Sequence, residues 1–221
     1  MRHQFECQGS PEDREKAKRM NMLDPEEVKK IEKTTPFIKT GQLRKADEVA
    51  DDENLLANMK LSELSFEDKI IGKGSYGSVQ LATHVPTNMK VAVKKLDKGT
   101  IKTPKMQETL NREIQIQKKL KHVNIVRLFA SLEDEKYIYL ILEYVEQGNL
   151  FYIIRKKGML TEDEAFYFFI QTVAGIYFLH KNGFIHRDLK PENLLVNEDN
   201  VLKICDFGWT CESDLEEDDD G

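Results

Sequence analysis

The sequence predicts an α+β fold in which an antiparallel sheet comes first and helices follow. Three observations carry this. Two Val-rich alternating segments, residues 78–83 and 89–96, are parted by the turn-like Pro86-Thr87-Asn88, which is a hairpin signature. Two helical stretches carry their own start signals, Thr103-Pro104 and Thr161-Glu162-Asp163-Glu164. The 221 residues, 40% of them apolar, suffice to bury a core of one or two lobes.

Composition narrows the function classes. A third of the residues (33%) are charged and the net charge is −6, which favours a soluble protein and argues against a general nucleic-acid binder. Cys7, Cys205 and Cys211 are too few and too scattered for a disulfide framework or a zinc cluster, so a reducing compartment is expected. No apolar run reaches the roughly 18 residues of a membrane span. Residues 1–10 lack an apolar signal-peptide core. The expected localisation is cytoplasmic or nuclear.

Residues 1–64 read as a charged tail, expected to be disordered. Within it, Asp24-Pro25-Glu26-Glu27 could start a short helix, and Arg14, Lys16, Lys18 and Arg19 form a loose basic cluster suited to docking or targeting. Leu55, Leu56, Met59, Leu61 and Leu64 suggest that its end packs on the segments after it. Near Ser65 a first strand leads into Gly72-Lys73-Gly74-Ser75-Tyr76-Gly77-Ser78-Val79, a G-x-G-x-x-G-x-V pattern whose glycines let backbone amides approach phosphate. A dinucleotide fingerprint should open a helix; a hairpin comes instead. It closes on Val91-Ala92-Val93-Lys94.

A helix is then expected from Thr103-Pro104 to about Lys121, with Leu110, Ile114 and Leu120 on one face and lysines suiting its C-terminal dipole. Strands are expected over 125–128 and 137–142, joined through a turn at Glu133-Asp134-Glu135-Lys136 and followed by a glycine-containing linker, 143–149. The Thr161 capping box opens an apolar helix over 165–180 that ends at Gly183. Phe166, Phe168, Phe169, Ile170, Val173, Ile176, Tyr177 and Leu179 cover most of its circumference, which predicts burial on several sides. Short strands over 193–196 and 202–205 lead into Asp206.

The chemistry concentrates in His186-Arg187-Asp188-Leu189-Lys190-Pro191-Glu192-Asn193, with Asp206-Phe207-Gly208 starting thirteen residues beyond Asn193. Asp188 can accept a hydroxyl proton, Asn193 and Asp206 offer hard oxygen ligands suited to Mg²⁺, and Lys190 places positive charge where a transferred phosphate is negative. In this spacing the chain resembles the protein kinase family, with its catalytic loop and metal-binding triplet.

The resemblance covers about residues 65–210. It implies a two-lobed fold: a five-stranded antiparallel N-lobe sheet with one long helix (65–142), a hinge (143–149) and a partial helical C-lobe (150–210). It implies ATP and Mg²⁺ as cofactors. Lys94 would pair with nucleotide phosphates and with Glu113. Ile71, Gly72, Lys73, Gly74, Ser75, Tyr76, Gly77, Ser78 and Val79 would cover the nucleotide, and Leu142 would be the gatekeeper. The backbones of Glu143 and Val145 would face adenine, held between Val79 and Ala92 above and Leu195 below. Asn193 and Asp206 would hold the metal, with Asp188 as the hydroxyl's proton acceptor and Lys190 at the γ-phosphate.

Lys190 after His-Arg-Asp-Leu is the serine/threonine form, so protein substrates with Ser or Thr are implied, and Glu192 resembles an acid that favours a basic residue before the phosphosite. An activator or docking partner would engage the N-lobe or the N-terminal tail. Within the family the chain looks most like the Aurora kinases, on Asp206-Phe207-Gly208-Trp209, Leu140-Ile141-Leu142-Glu143-Tyr144 and Arg112-Glu113-Ile114-Gln115-Ile116-Gln117.

The resemblance stops after Thr210, where the family continues into an activation segment and later helices; residues 211–221 read as an acidic tail. The expectation is a C-lobe shortened after the triplet, marginal stability and an apolar patch on the Phe-rich helix. Two functions stay open on this reading: an ATP-dependent protein serine/threonine kinase, or an ATP-binding and scaffolding module impaired in turnover.

Overall fold

The expected hairpin forms. In the computed structural model, which describes residues 56–74 and 77–212, β2 (Gly77–His84) pairs antiparallel with β3 (Met89–Asp97), from Gly77↔Leu96 to His84↔Met89. Asn88 takes the left-handed turn position at φ 55. β1 (Leu64–Gly74) flanks β2, while β5 (Tyr137–Glu143) and the edge strand β4 (Leu128–Glu133) complete a five-stranded antiparallel sheet of order β1-β2-β3-β5-β4.

Alternation buries both faces of this sheet. Ala82, Val91, Val93, Ala130, Tyr139 and Ile141 pack on one side, together with Leu56, Met59 and Leu64 from the segment ahead of β1. Packing of this segment on the sheet is what its spaced apolar residues suggest in the sequence. On the other side Leu96, Leu128 and Leu140 meet Ile114 of α1 (Pro104–Lys119). Thr103 caps α1 by accepting the Met106 N–H at 3.2 Å.

The strand expected over 125–128 is not there. β4 begins only at Leu128, because Ile125 bridges to Ile204 and the Val126 N–H donates to the Ile204 carbonyl at 2.9 Å. Residues 122–126 thus join the sheet to the second half of the chain. Glu133 belongs to β4, and Asp134 makes the turn by accepting the N–H groups of Lys136 and Tyr137 at 2.8 and 2.6 Å.

Past the linker lies α2 (Leu150–Lys157), for which no helix was expected from the sequence; Asn149 caps it through the Tyr152 N–H, and Gly158 ends it at φ 90. α3 (Glu162–Lys181) opens on the expected capping box, with Gly183 at φ 75 just past its end. Burial of α3 on several sides does not occur. Its buried residues, Phe168, Gln171, Thr172, Gly175 and Leu179, form a single stripe at helical spacing. Phe166 and Phe169 fall off that stripe and are each 63% exposed.

Two small ladders lie against α3: β6 (Phe184–Ile185) with β9 (Cys211–Glu212), and β7 (Leu194–Val196) with β8 (Leu202–Ile204). Residue 211, expected to open the acidic tail, is instead buried in β9. The tail readings for residues 1–55 and 213–221, and the glycine-loop positions Ser75 and Tyr76, lie outside the described residues. Among the described residues, no helix is long and apolar enough to cross a membrane.

Candidate active site

Between the sheet and the small ladders the sequence motifs converge. β1 and β2 hold the glycine segment in register, with Gly72 opposite Val79, Lys73 opposite Ser78 and Gly74 opposite Gly77. The glycine at position 77 has a local cause: a Cβ there would stand 1.8 Å from the Lys95 carbonyl oxygen of β3. A Cβ on Gly72 would meet Val79 at an ordinary 3.5 Å.

Lys94 lies on β3 between Val79 of β2 and Leu140 of β5. Its ammonium is 3.6 Å from the Glu113 carboxylate of α1, nineteen residues on in sequence. Burial raises the Glu113 pKa above its ordinary value, Lys94 pulls it back down, and the Asp206 charge adds to the rise. Asp206 is thus close enough for its charge to be felt at Glu113; a Cβ on Gly208 would lie 3.5 Å from both carboxylates. Ala92 pairs with Leu142 across β3 and β5, and Leu195 bridges to Asn149 at the linker's end.

Glu143 fixes the start of the linker. Its N–H donates to the Arg127 carbonyl at 2.9 Å, so of its backbone groups only the carbonyl is left to face a base. Its side chain turns toward Lys203, with the ammonium 2.9 Å away. Val145 is buried, and the far end of the linker is pinned to β7 by Gln147 N–H to Val196 O and Val196 N–H to Gly148 O.

The catalytic-loop motif folds as a network centred on Asp188. Lys190 donates to both its carboxylate oxygens at 3.0 and 2.8 Å, and the Asn193 amide donates to its carbonyl and carboxylate at 2.8 and 2.9 Å. The Lys190 bond first, then that of Asn193, hold the Asp188 pKa below the ordinary carboxylate range. With its NH₂ group spent on Asp188, Asn193 has its amide oxygen to offer a cation.

His186, to which the sequence pattern assigns no role of its own, ties this loop to the Asp206 segment. Burial lowers its pKa, so the ring is neutral: Nε2–H donates to the Cys205 carbonyl at 3.0 Å, and Nδ1 accepts the Asp188 N–H at 3.3 Å. Its ring also meets the buried Phe207 edge to face, with centroids 5.3 Å apart. Asp206 itself sits at φ 65 and Arg187 at φ 63, left-handed positions that cost energy and collect at functional sites. Arg187 Nε donates to the Trp209 carbonyl at 2.6 Å. Burial, with Asp206 next in weight, pushes the Cys205 thiol up to about 12, which makes it a poor nucleophile at neutral pH.

The donor set suits Mg²⁺ bound jointly with a polyphosphate. One carboxylate (Asp206) and one amide oxygen (Asn193) are the few protein ligands such an ion takes when phosphates and water supply the rest. Among the described residues no cluster of three or more His, Cys, Asp or Glu could hold a metal alone.

Comparison with known proteins agrees with this constellation. The protein kinase domain model matches residues 66–218. The SNF1-related protein kinase catalytic subunit alpha KIN12 of Arabidopsis thaliana is 44% identical over 140 residues, 63% of this chain and 28% of the relative. An Aurora kinase of Schizosaccharomyces pombe is 42% identical over 142 residues, covering 64% and 40%. An Aurora kinase of Eremothecium gossypii is 30% identical over 188 residues, covering 85% and 50%. The chain spans half or less of the length of each of these relatives.

Proposed function

Since the chain belongs to the protein kinase family, we propose that it transfers the γ-phosphate of ATP to serine or threonine hydroxyls of protein substrates. One observation carries the reading: Asp188, bonded by Lys190 and Asn193, is tied through His186 to the Cys205-Asp206 segment, and the Asp206 charge is felt at Glu113 beside Lys94. Phosphoryl transfer needs positioning and charge neutralisation more than covalent chemistry from the protein, and these groups supply both.

In this proposal Asp188 orients the incoming hydroxyl and takes its proton. Lys190, already on Asp188, is placed to follow negative charge as it develops on the transferred group. Lys94, steered by Glu113, holds the α- and β-phosphates. Gly72–Val79, with Ile71 at its start, covers the nucleotide, while Ala92, Leu142 and Leu195 flank the base and the carbonyl of Glu143 and backbone of Val145 meet its edge. Asn193 and Asp206 would hold Mg²⁺, which when bound neutralises phosphate oxygens. Exposed Glu192 would favour a basic residue ahead of the phosphosite.

The test is magnesium-dependent transfer of radiolabelled γ-phosphate to a basic Ser-containing peptide, with Asp188→Ala and Lys94→Ala beside the parent chain. Transfer abolished by both substitutions supports the proposal. ATP-dependent thermal stabilisation without transfer, lost in Lys94→Ala, would instead mean a nucleotide-binding module.

A further inference from the structure

Gln171 is an amide buried in the apolar stripe of α3, and both polar atoms of its side chain are engaged. Its Oε1 accepts the Leu202 N–H, the first amide of β8, at 2.8 Å, and the Asn124 amide at 3.2 Å. Its Nε2 donates to the Asn200 carbonyl, just ahead of β8, at 3.2 Å, and to the Tyr167 carbonyl of its own helix at 3.4 Å. One helical turn on, Gly175 lets α3 close on the same strand, where a Cβ would stand 2.7 Å from Ile204 Cδ1. The two contacts are in step. Four helical residues rise about 6 Å and two strand residues about 6.6 Å, so Gln171 and Gly175 match Leu202 and Ile204.

β8 is the strand that carries Asp206 to Asn193. Leu194 pairs with Ile204 across the ladder, and the Cys205 N–H donates to the Asn193 carbonyl at 2.9 Å. Asp206 therefore takes its place from the register of a strand of three residues. A two-stranded ladder is only marginally stable by itself. A slip of one residue would displace Asp206 by about 3.3 Å, whereas Mg²⁺ holds its ligands at about 2.0–2.1 Å in near-octahedral geometry. We infer that Gln171 is a positioning residue for the metal pair: it fixes the register of β8 and so sets Asp206 against Asn193. It acts through the strand, since its own polar atoms are already engaged. The inference rests on the reading of Asn193 and Asp206 as the Mg²⁺ ligands.

The test is the affinity of the full chain for ATP, by calorimetry, with Mg²⁺ and with a chelator in its place; the ratio of the two reports the metal pair. The parent chain should bind more tightly with Mg²⁺. Gln171→Met, which keeps the volume and removes the bonds, should lower the ratio about tenfold, with chelated ATP bound within about twofold of the parent. Phe168→Leu, a packing loss on the same stripe, should melt lower yet keep the ratio. A second arm uses the parent chain alone, so it stands even where Gln171→Met does not fold. Linkage is reciprocal, so ATP with Mg²⁺ should slow amide exchange at Leu202 more than ATP with chelator does. No metal dependence in the parent would sink the reading of Asn193 and Asp206, and the inference with it. A ratio unchanged in Gln171→Met, a ratio lowered as far in Phe168→Leu, or Leu202 exchange indifferent to the metal would overturn the inference alone.

Discussion

Glu113 is a carboxylate asked to stay ionised where burial resists it. Its pKa is raised above 4.5 chiefly by burial, with Lys94 opposing and Asp206 reinforcing the rise. The Lys94 pair exists only while Glu113 is ionised, so it is lost on acidification sooner than a solvent-exposed pair would be. The acid limb of a transfer or nucleotide-binding profile is therefore expected above the ordinary glutamate range. Glu113→Gln should abolish that limb and lower transfer by about fivefold to a hundredfold, a loss of about 1–3 kcal/mol. For stability the sign is opposite: a folded pKa raised above the unfolded one means that the ionised group costs stability at neutral pH, and the cost lifts as pH falls through the raised value. Two glycines make a second comparison at this scale. Gly77→Ala must push its Cβ into the Lys95 carbonyl and is expected to destabilise by about 1–3 kcal/mol, while Gly72→Ala meets only ordinary contact and should stay within about 1 kcal/mol. Thermal melts of the two variants separate these outcomes.

Among the elements, α3 shows how little overall apolarity says about which face is buried. Its phenylalanines at 166, 168 and 169 are near neighbours in sequence, yet Phe168 is 7% exposed and the other two 63%. The stripe is held close to β8 by Gly175, where a Cβ would stand 2.7 Å from Ile204 Cδ1 and 3.1 Å from the Asn124 carbonyl. Phe168→Ala is expected to cost about 3–5 kcal/mol, and Phe166→Ser or Phe169→Ser no more than about 0.5 kcal/mol. Denaturant midpoints would check both; equal losses at all three positions would show that the outer face is packed as well.

At the scale of the whole molecule, the connection over 122–126 does the joining. Asn124 donates to the Leu202 carbonyl at 2.8 Å and to Gln171 Oε1 at 3.2 Å, while its own carbonyl accepts the Ile204 N–H at 2.9 Å. One residue thus ties the segment after α1 to α3 and to the strand that leads into Asp206. Asn124→Ala leaves buried acceptors without this donor and is expected to cost about 1–3 kcal/mol. Amide hydrogen exchange at Leu202 and Ile204 should accelerate by roughly the corresponding tenfold to hundredfold. Exchange unchanged there would mean that apolar packing alone holds the two halves together.

What was legible in the sequence was local. Turn chemistry at Pro86-Thr87-Asn88, the caps at Thr103 and Thr161, and the spacing from Asp188 through Asn193 to Asp206 can be read because each depends on neighbours a few residues away or on motif order. The Lys94–Glu113 pairing was readable only as a suggestion, since two charges nineteen residues apart meet only if β3 and α1 pack, which the 3.6 Å separation reports. Other features carried no sequence signal. Ile125 forsakes β4 for Ile204, Glu143 turns its side chain to Lys203, and His186 bridges Asp188 and Cys205. Each joins or parts segments by competition among burial, charge pairing and hydrogen-bond satisfaction across the folded chain. Periodicity and turn chemistry set which elements form; only their packing against one another decides which faces and side chains meet.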